Sequence, residues 1–352
     1  MTFKSLKIAV VLDPRFPGGT ASAVAQELPI LKTLGQVEIH AISSSMFKGR
    51  SINPILKTAI ERTNLELIWD SPIISADLIL LHNPAFLKFD ETLNSKLVAQ
   101  NIIVVTHENF VLPSGVAAFD VDGCLDRIED ASLSVGQYLA PVSNYNRTTV
   151  MDWLTVDRDW SVTDQNWHNI CDFEIFKPTK TPRDRRGRHS RPGYEKFPTS
   201  SVMEVLFPPH AEHNAILGAD SLARDASRSH LKLYNFRTRP VAEFLEEIDF
   251  FVYFTNPGWR ESFGRVIAEA TAAGKLVITD HDTAENFGNG IVGASPDQVN
   301  ALIAEYIAHP KTYIETIQQA QKSMKDYGPE KFAETALGII SQMSTSSLKA
   351  AE

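Results

Sequence analysis

The residue types best suited to chemistry lie between Trp259 and Gly274, where Glu261 and Glu269 stand eight residues apart and Ser262-Phe263-Gly264-Arg265 follows the first of them. A helix starting near Ser262 would separate the two backbones by roughly 12 Å along its axis, about the reach of a nucleotide sugar. One carboxylate could then hold sugar hydroxyls and the other ribose hydroxyls. The N–H groups of Phe263, Gly264 and Arg265 would meet a diphosphate between them, without a metal. The same periodicity also fits an ordinary amphipathic helix, with Ala268, Ala270 and Ala272 packed and both glutamates in water.

Three other places carry candidate groups. Gly18 and Gly19 end the loop Asp13-Pro14-Arg15-Phe16-Pro17 between a strand and a helix. Paired glycines there let a ligand approach the backbone and aim N–H groups at an anion, although a tight turn also uses glycine for its conformational freedom. His107 follows the apolar run Ile102 to Thr106, at the carboxyl end of a strand, where open α/β sheets bind ligands. It could contact a hydroxyl or phosphate or move a proton, or it could satisfy a neighbouring backbone group. The stretch Arg183 to Arg191 holds five arginines, with Lys196 beyond. Five guanidiniums cannot lie unpaired in a core, so a solvated loop, an anionic lipid surface, or a phosphate site using one or two of them are the available readings.

Several patterns fail on context. Gly288-Asn289-Gly290-Ile291-Val292-Gly293 has dinucleotide-type spacing but does not connect a strand to the helix it should open. Asp120-Val121-Asp122 follows no convincing strand and reads as loop. His210 and His213 lack the glutamate of a zinc helix, and no Walker-type phosphate loop occurs.

The elements that must position these groups alternate. Lys7 to Leu12, Val37 to Ile42, Leu78 to Leu81 and Ile102 to Thr106 read as buried parallel strands separated by amphipathic stretches. A second series runs through Asn214 to Gly218, Leu231 to Tyr234, Phe250 to Phe254, Leu276 to Thr279 and Ile291 to Val292. Met151 to Lys180, with Trp153, Trp160 and Trp167, reads as the connector, its tryptophans packing a hinge. The 352 residues exceed one ordinary core and fit two domains, with boundaries expected at 1–165 and 166–328 and a terminal amphipathic segment at 329–352. A net charge of -9 argues against coating nucleic acid. Only two cysteines and no signal peptide point to a reducing, cytosolic setting.

Glu261-Ser262-Phe263-Gly264 with Glu269-Ala270, the paired Gly18 and Gly19, and Gly187-Arg188 with Lys196 together resemble family 4 of the glycosyltransferases, a bacterial group 1 type. The resemblance implies an α/β architecture of the GT-B fold: two Rossmann-like domains with parallel sheets facing across a cleft, and a last helix crossing back to the first domain. It also implies a retaining, metal-independent hexosyltransferase. A UDP- or GDP-sugar would be the donor, there would be no cofactor, and a glycan, glycolipid or other glycoconjugate would accept the sugar, with peripheral membrane contact and no nucleic acid partner. By the same resemblance Glu261 faces the donor sugar, Glu269 the ribose, and Phe263, Gly264 and Arg265 the diphosphate. Arg188 and Lys196 neutralise the phosphates, Gly18 and Gly19 close on the donor, and His107 contacts the transferred sugar or the acceptor. The alternatives are a nucleotide-sugar epimerase of the same fold and a non-catalytic nucleotide-sugar-binding protein.

Overall fold

The computed structural model of the chain describes residues 6–16, 18–154, 158–222 and 229–349, without the side chains of 344–349. Pro17 of the glycine loop lies outside the described residues. The chain divides into two compact units: one runs to Ile170 and includes the segment from Pro329, and the other spans Cys171–Gly328.

In the first unit the elements are β1 (Leu6–Leu12), α1 (Gly19–Leu34), β2 (Gly35–Ala41), α2 (Pro54–Thr63), β3 (Leu67–Trp69), β4 (Ile73–His82), β5 (Lys96–Thr106), α3 (Val121–Ala131), β6 (Ser132–Pro141), α4 (Asn144–Trp153) and β7 (Ser161–Val162). Seven strands form one parallel sheet in the order β3-β2-β1-β4-β5-β6-β7. The second unit holds β8 (Arg185–His189), α5 (Ser200–Leu206), β9 (His213–Leu217), β10 (Leu231–Tyr234), α6 (Val241–Glu246), β11 (Phe250–Tyr253), α7 (Arg265–Ala272), β12 (Leu276–Thr279), α8 (His281–Glu285), β13 (Val292–Gly293), α9 (Val299–Ala308) and α10 (Pro310–Ser323). Its six strands are also parallel, in the order β10-β9-β8-β11-β12-β13. The last helix, α11 (Pro329–Lys349), returns to the first unit, where it packs on α1 and β6.

Both sheets reverse their winding next to the first strand: β1 lies between β2 and β4, and β8 between β9 and β11. Such a switch point splays the loops at the carboxyl ends of the two neighbouring strands and leaves room for a ligand. The strands read from apolar runs are present, and some reach further than those runs. β5 starts at Lys96, and β6 is a ten-residue strand with alternating exposure that the reading above did not include.

The arginine stretch is not a solvated loop. Arg185–His189 is a central strand, and Arg186 and Arg188 have 1% and 0% of their surface exposed. A buried guanidinium is tolerable only when its donors are matched. Arg186 donates to Asp184 at 2.6 and 3.0 Å, to the Leu206 carbonyl at 2.9 Å and to Asn300 at 2.7 Å. Arg185 pairs with Asp249 at 2.7 Å, Arg183 with Glu212 at 2.8 Å and Arg191 with Glu195 at 2.8 Å. Gly187 fits between these arginines because a Cβ there would stand 2.8 Å from Ile248 and 2.9 Å from the Ala215 carbonyl.

Two further readings are corrected. Trp160 and Trp167 are buried in the first unit with Trp153 packed alongside its core, so they serve that core rather than a hinge. Asp120 is the N-cap of α3, its carboxylate accepting from the Gly123 N–H at 3.1 Å. Gly290 of the discarded glycine pattern has φ +97 and packs against α10, where a Cβ would lie 2.3 Å from the Ala320 nitrogen. No described helix is long and apolar enough to cross a membrane.

Candidate active site

In the second unit the segments that follow β8 and β11 meet at the switch point. Beyond β8 the chain reaches a short turn, Tyr194–Lys196, that delivers Lys196. Beyond β11 it runs through Asn256-Pro257-Gly258 to Glu261 and then to α7. The Lys196 Nζ lies 2.8 Å from Glu261 Oε1 and 3.9 Å from the centre of the Trp259 ring. The buried Tyr253 hydroxyl donates to the same carboxylate oxygen. Burial pushes the Glu261 carboxyl up, but the Lys196 charge and hydrogen bond, with the Tyr253 hydrogen bond, outweigh it and leave the group below its ordinary value. Lys196 is lowered by burial and supported by Glu261. The pair is a desolvated cation and anion side by side, each keeping the other ionised.

Arg188 holds this pair from beneath. Its guanidinium lies 4.3 Å from the Tyr253 ring centre and 4.6 Å from that of Phe197, and it donates to the carbonyls of Phe254 and Lys196. It has no exposed surface, and its guanidinium is engaged by these carbonyls and rings. The physical reason is the strand position: β8 is central, so a side chain on its face is covered.

Helix α7 starts at Arg265, three residues later than the Ser262 start expected from sequence, and its N-cap Gly264 has the left-handed values φ 93 and ψ 45. Glu261 therefore lies in the loop before the helix, and the helical-rise estimate of its distance to Glu269 does not apply. Phe263 is a buried anchor, with edge contacts to Phe287 at 5.3 Å and Tyr327 at 5.6 Å between ring centres. These rings fix the entry to the helix, whose first turn is closed by the Ile267 N–H donating to the Gly264 carbonyl at 2.9 Å. The Arg265 guanidinium lies 5.0 Å from the Phe173 ring centre. Glu269, one turn into α7, has its carboxyl raised by burial against the opposing effect of Arg265. His189 Nε2 lies 3.6 Å from Glu269 Oε2, on a ring that burial, helped by Arg188, lowers to a pKa of about 3.

The first unit repeats this logic. Gly18 and Gly19 link β1 to α1, and neither has the positive φ that only glycine takes comfortably: Gly18 has φ -105. A Cβ at either position would meet nothing within 4 Å. Conformational need therefore does not account for the pair, and open space above the backbone is what they provide. His107 follows β5, and its Nε2 lies 3.1 Å from Nδ1 of the buried His82 at the end of β4. Asn83 joins the two neighbourhoods, donating to Thr20 Oγ1 at 3.3 Å and to Glu108 Oε1 at 3.2 Å.

Thus Lys196 and Glu261 are brought into contact with Arg188 under them, Phe263, Gly264 and Arg265 form the start of α7, and Glu269 meets His189. Gly18, Gly19 and His107 belong to the other unit and lie beyond the carboxyl ends of its strands β1 and β5. Reasoning from sequence missed Tyr253, His82, Asn83 and Glu27. Two of these left a signal. His82 closes an apolar strand run just as His107 nearly does, and Glu27 interrupts the apolar stripe of Val24, Leu28 and Leu31.

No protein-family profile matches the chain, and no curated protein matches it. Solved structures do. The Anabaena protein HepE in complex with UDP-glucose has a TM-score of 0.65 at 14% identity, covering 96% of this chain and 100% of that one. A glycosyltransferase from Rickettsia africae has a TM-score of 0.62 at 13% identity, covering 97% and 99%. An alpha-glucosyltransferase in complex with UDP and a 13-mer DNA has 0.57 at 10%, covering 96% and 100%. The fold is GT-B. At these identities the likeness concerns architecture: two parallel α/β units, each wound outward from its first strand, with a terminal helix grouped with the first.

Proposed function

We propose that this chain is a glycosyltransferase that moves a hexose from a nucleoside diphosphate sugar to a hydroxyl of a glycan, glycolipid or other glycoconjugate, retaining the anomeric configuration and using no metal. The observation that carries the reading is the Lys196–Glu261 pair, 2.8 Å apart at a switch point and directly ahead of the N-terminus of α7. A buried ammonium beside the N-terminal end of a helix suits a diphosphate, whose oxygens would replace part of the contact Lys196 now makes with Glu261. Glu261 would then accept from hydroxyls of the donor sugar and Glu269 from those of the ribose. Phe263, Gly264 and Arg265 would contribute backbone N–H groups, and Gly18 and Gly19 an unobstructed backbone. Arg188 serves by fixing the carbonyls on either side of the pair.

In the transfer, the bond from the sugar C1 to the diphosphate oxygen breaks as the acceptor oxygen bonds C1 from the same face. The acceptor proton passes to the departing phosphate oxygen, so no protein nucleophile is assigned. The positive charge of Lys196 stabilises the leaving diphosphate as its charge grows. HepE has been crystallised with UDP and UDP-glucose, which makes UDP-glucose the first donor to try.

Calorimetric titration with UDP, GDP and ADP tests the reading. One nucleotide should bind, and Lys196→Ala should weaken it by about tenfold to a hundredfold, the worth of a charge-assisted hydrogen bond. Donor turnover should require an acceptor, which separates transfer from epimerisation. If none of the three nucleotides binds, or if Lys196→Ala and Glu261→Ala both behave like the parent, the proposal fails.

A further inference from the structure

The interior of the first unit contains three ionisable groups in a row. Glu27, fully buried on α1, accepts at Oε2 from the Trp167 Nε1–H at 3.1 Å, while its Oε1 has no hydrogen-bond partner. His82 Nε2, on a ring with no exposed surface and itself unpartnered, stands 3.6 Å from Glu27 Oε2. That separation is longer than a hydrogen bond; Nε2 is the unmet atom of the ring, and it faces the same Oε2 that Trp167 approaches. Leaving a buried ring nitrogen unmet is costly, so a small closure that gives His82 Nε2 the Glu27 carboxyl as partner is favoured. The other nitrogen of His82, Nδ1, is 3.1 Å from Nε2 of His107, and the two rings stack with centres 5.4 Å apart. Burying a carboxyl and an imidazole beneath the half-buried His107 has no packing rationale that apolar residues would not serve better.

We propose that Glu27 and His82 are positioning residues, forming a buried chain that holds His107 neutral with its proton on Nδ1, as a fixed hydrogen-bond donor to an oxygen of the sugar ligand. The ligand class rests on the proposed transferase activity; the chain itself does not.

A contact between two neutral imidazole nitrogens holds one hydrogen, so one ring donates and the other accepts. Burial sets which. It raises Glu27 to about 8, lowers His82 well below its ordinary value, and lowers His107 to about 3. At neutral pH Glu27 therefore keeps its proton and presents it to His82 Nε2. The His82 proton must then be on Nδ1, which donates to His107 Nε2, and the His107 proton lies on Nδ1. When Glu27 loses its proton to solvent, the order reverses: Nε2–H of His82 donates to the carboxylate, Nδ1 accepts from Nε2–H of His107, and the donor towards the ligand is gone. Because the folded pKa of Glu27 is raised, the donor state is held at neutral pH and lost as pH rises through about 8. The groups bearing on the chain are Trp167 from the segment after β7, His82 from β4 and His107 from β5. Glu108 beside His107 is tied to Asn83, which also binds Thr20 of α1.

The test reads imidazole tautomers by two-bond ¹⁵N–¹H correlation on the whole protein, with Glu27→Gln and Glu27→Leu. The wild type should show His107 protonated at Nδ1 at neutral pH and at Nε2 in mild alkali. Glu27→Gln, whose amide donates without titrating, should hold the Nδ1 form at both; Glu27→Leu should give a mixture. With UDP-glucose as donor, kcat/KM of the wild type should fall about tenfold across the same transition, the worth of one hydrogen bond, while the glutamine variant rescues the alkaline limb. A His107 tautomer that ignores residue 27 overturns the proposal even if transfer is intact. Absent nucleotide binding with a coupled tautomer would instead sink the transferase reading alone.

Discussion

Arg188 illustrates how one residue's role changed between sequence and structure. The arginine-rich stretch required partners, and sequence could state that requirement; it could not name Asp249, 64 residues from Arg185, or the Phe254 carbonyl, 66 residues from Arg188. Removing a buried guanidinium leaves two carbonyls unmet and the Tyr253 and Phe197 rings without their common partner. Arg188→Ala should therefore cost about 3 to 5 kcal/mol in urea unfolding. Arg188→Lys should recover only part of this, because a single ammonium cannot reproduce the planar fork. Both should also weaken nucleotide binding, since the Lys196 backbone is one of the two groups Arg188 holds. Unchanged stability in Arg188→Ala would contradict the description of this residue as a strut.

At the scale of elements, two glycine positions separate conformational need from ligand access. Gly264 caps α7 with φ 93, and a Cβ there would lie 3.3 Å from both Ile267 and Phe287. Gly264→Ala should destabilise the protein by about 1 to 2 kcal/mol, the cost of a left-handed L-residue, and tilt the start of α7. Gly18 has an extended backbone and open surroundings, so Gly18→Ala should change stability by less than about 0.5 kcal/mol while reducing affinity for the donor. Thermal unfolding alongside calorimetry checks both; full donor affinity in Gly18→Ala would remove the glycine loop from the site. The strands were legible in the same uneven way. Leu231–Tyr234 and Leu276–Thr279 are the strands that their apolar runs predict. β6 was missed because only one face of its first half is covered, and β8 because it is rich in arginines whose partners include the distant Asp249, Asn300 and the Leu206 and Phe254 carbonyls.

The whole molecule consists of two units wound by one rule, and the terminal helix belongs to the first. Phe332 of α11 is fully buried with its ring edge-on to Trp167 at 5.3 Å and to His168 at 5.6 Å. Phe332→Ala should cost about 3 to 5 kcal/mol in the unfolding of the first unit. Nucleotide affinity measured well below that transition should hold, because Lys196, Glu261 and Glu269 are in the second unit; a parallel loss of affinity would refute that assignment. The sequence by itself determined the alternation of strand and helix, the pairing of two similar series and the candidate residues at strand ends, because periodicity and apolar runs are local properties of a chain. Which of those ends meet is not local. Strand order decided that Lys196 reaches Glu261, that Arg188 is covered, and that His107 rests on His82, since a parallel sheet brings together carboxyl ends from segments far apart in the chain.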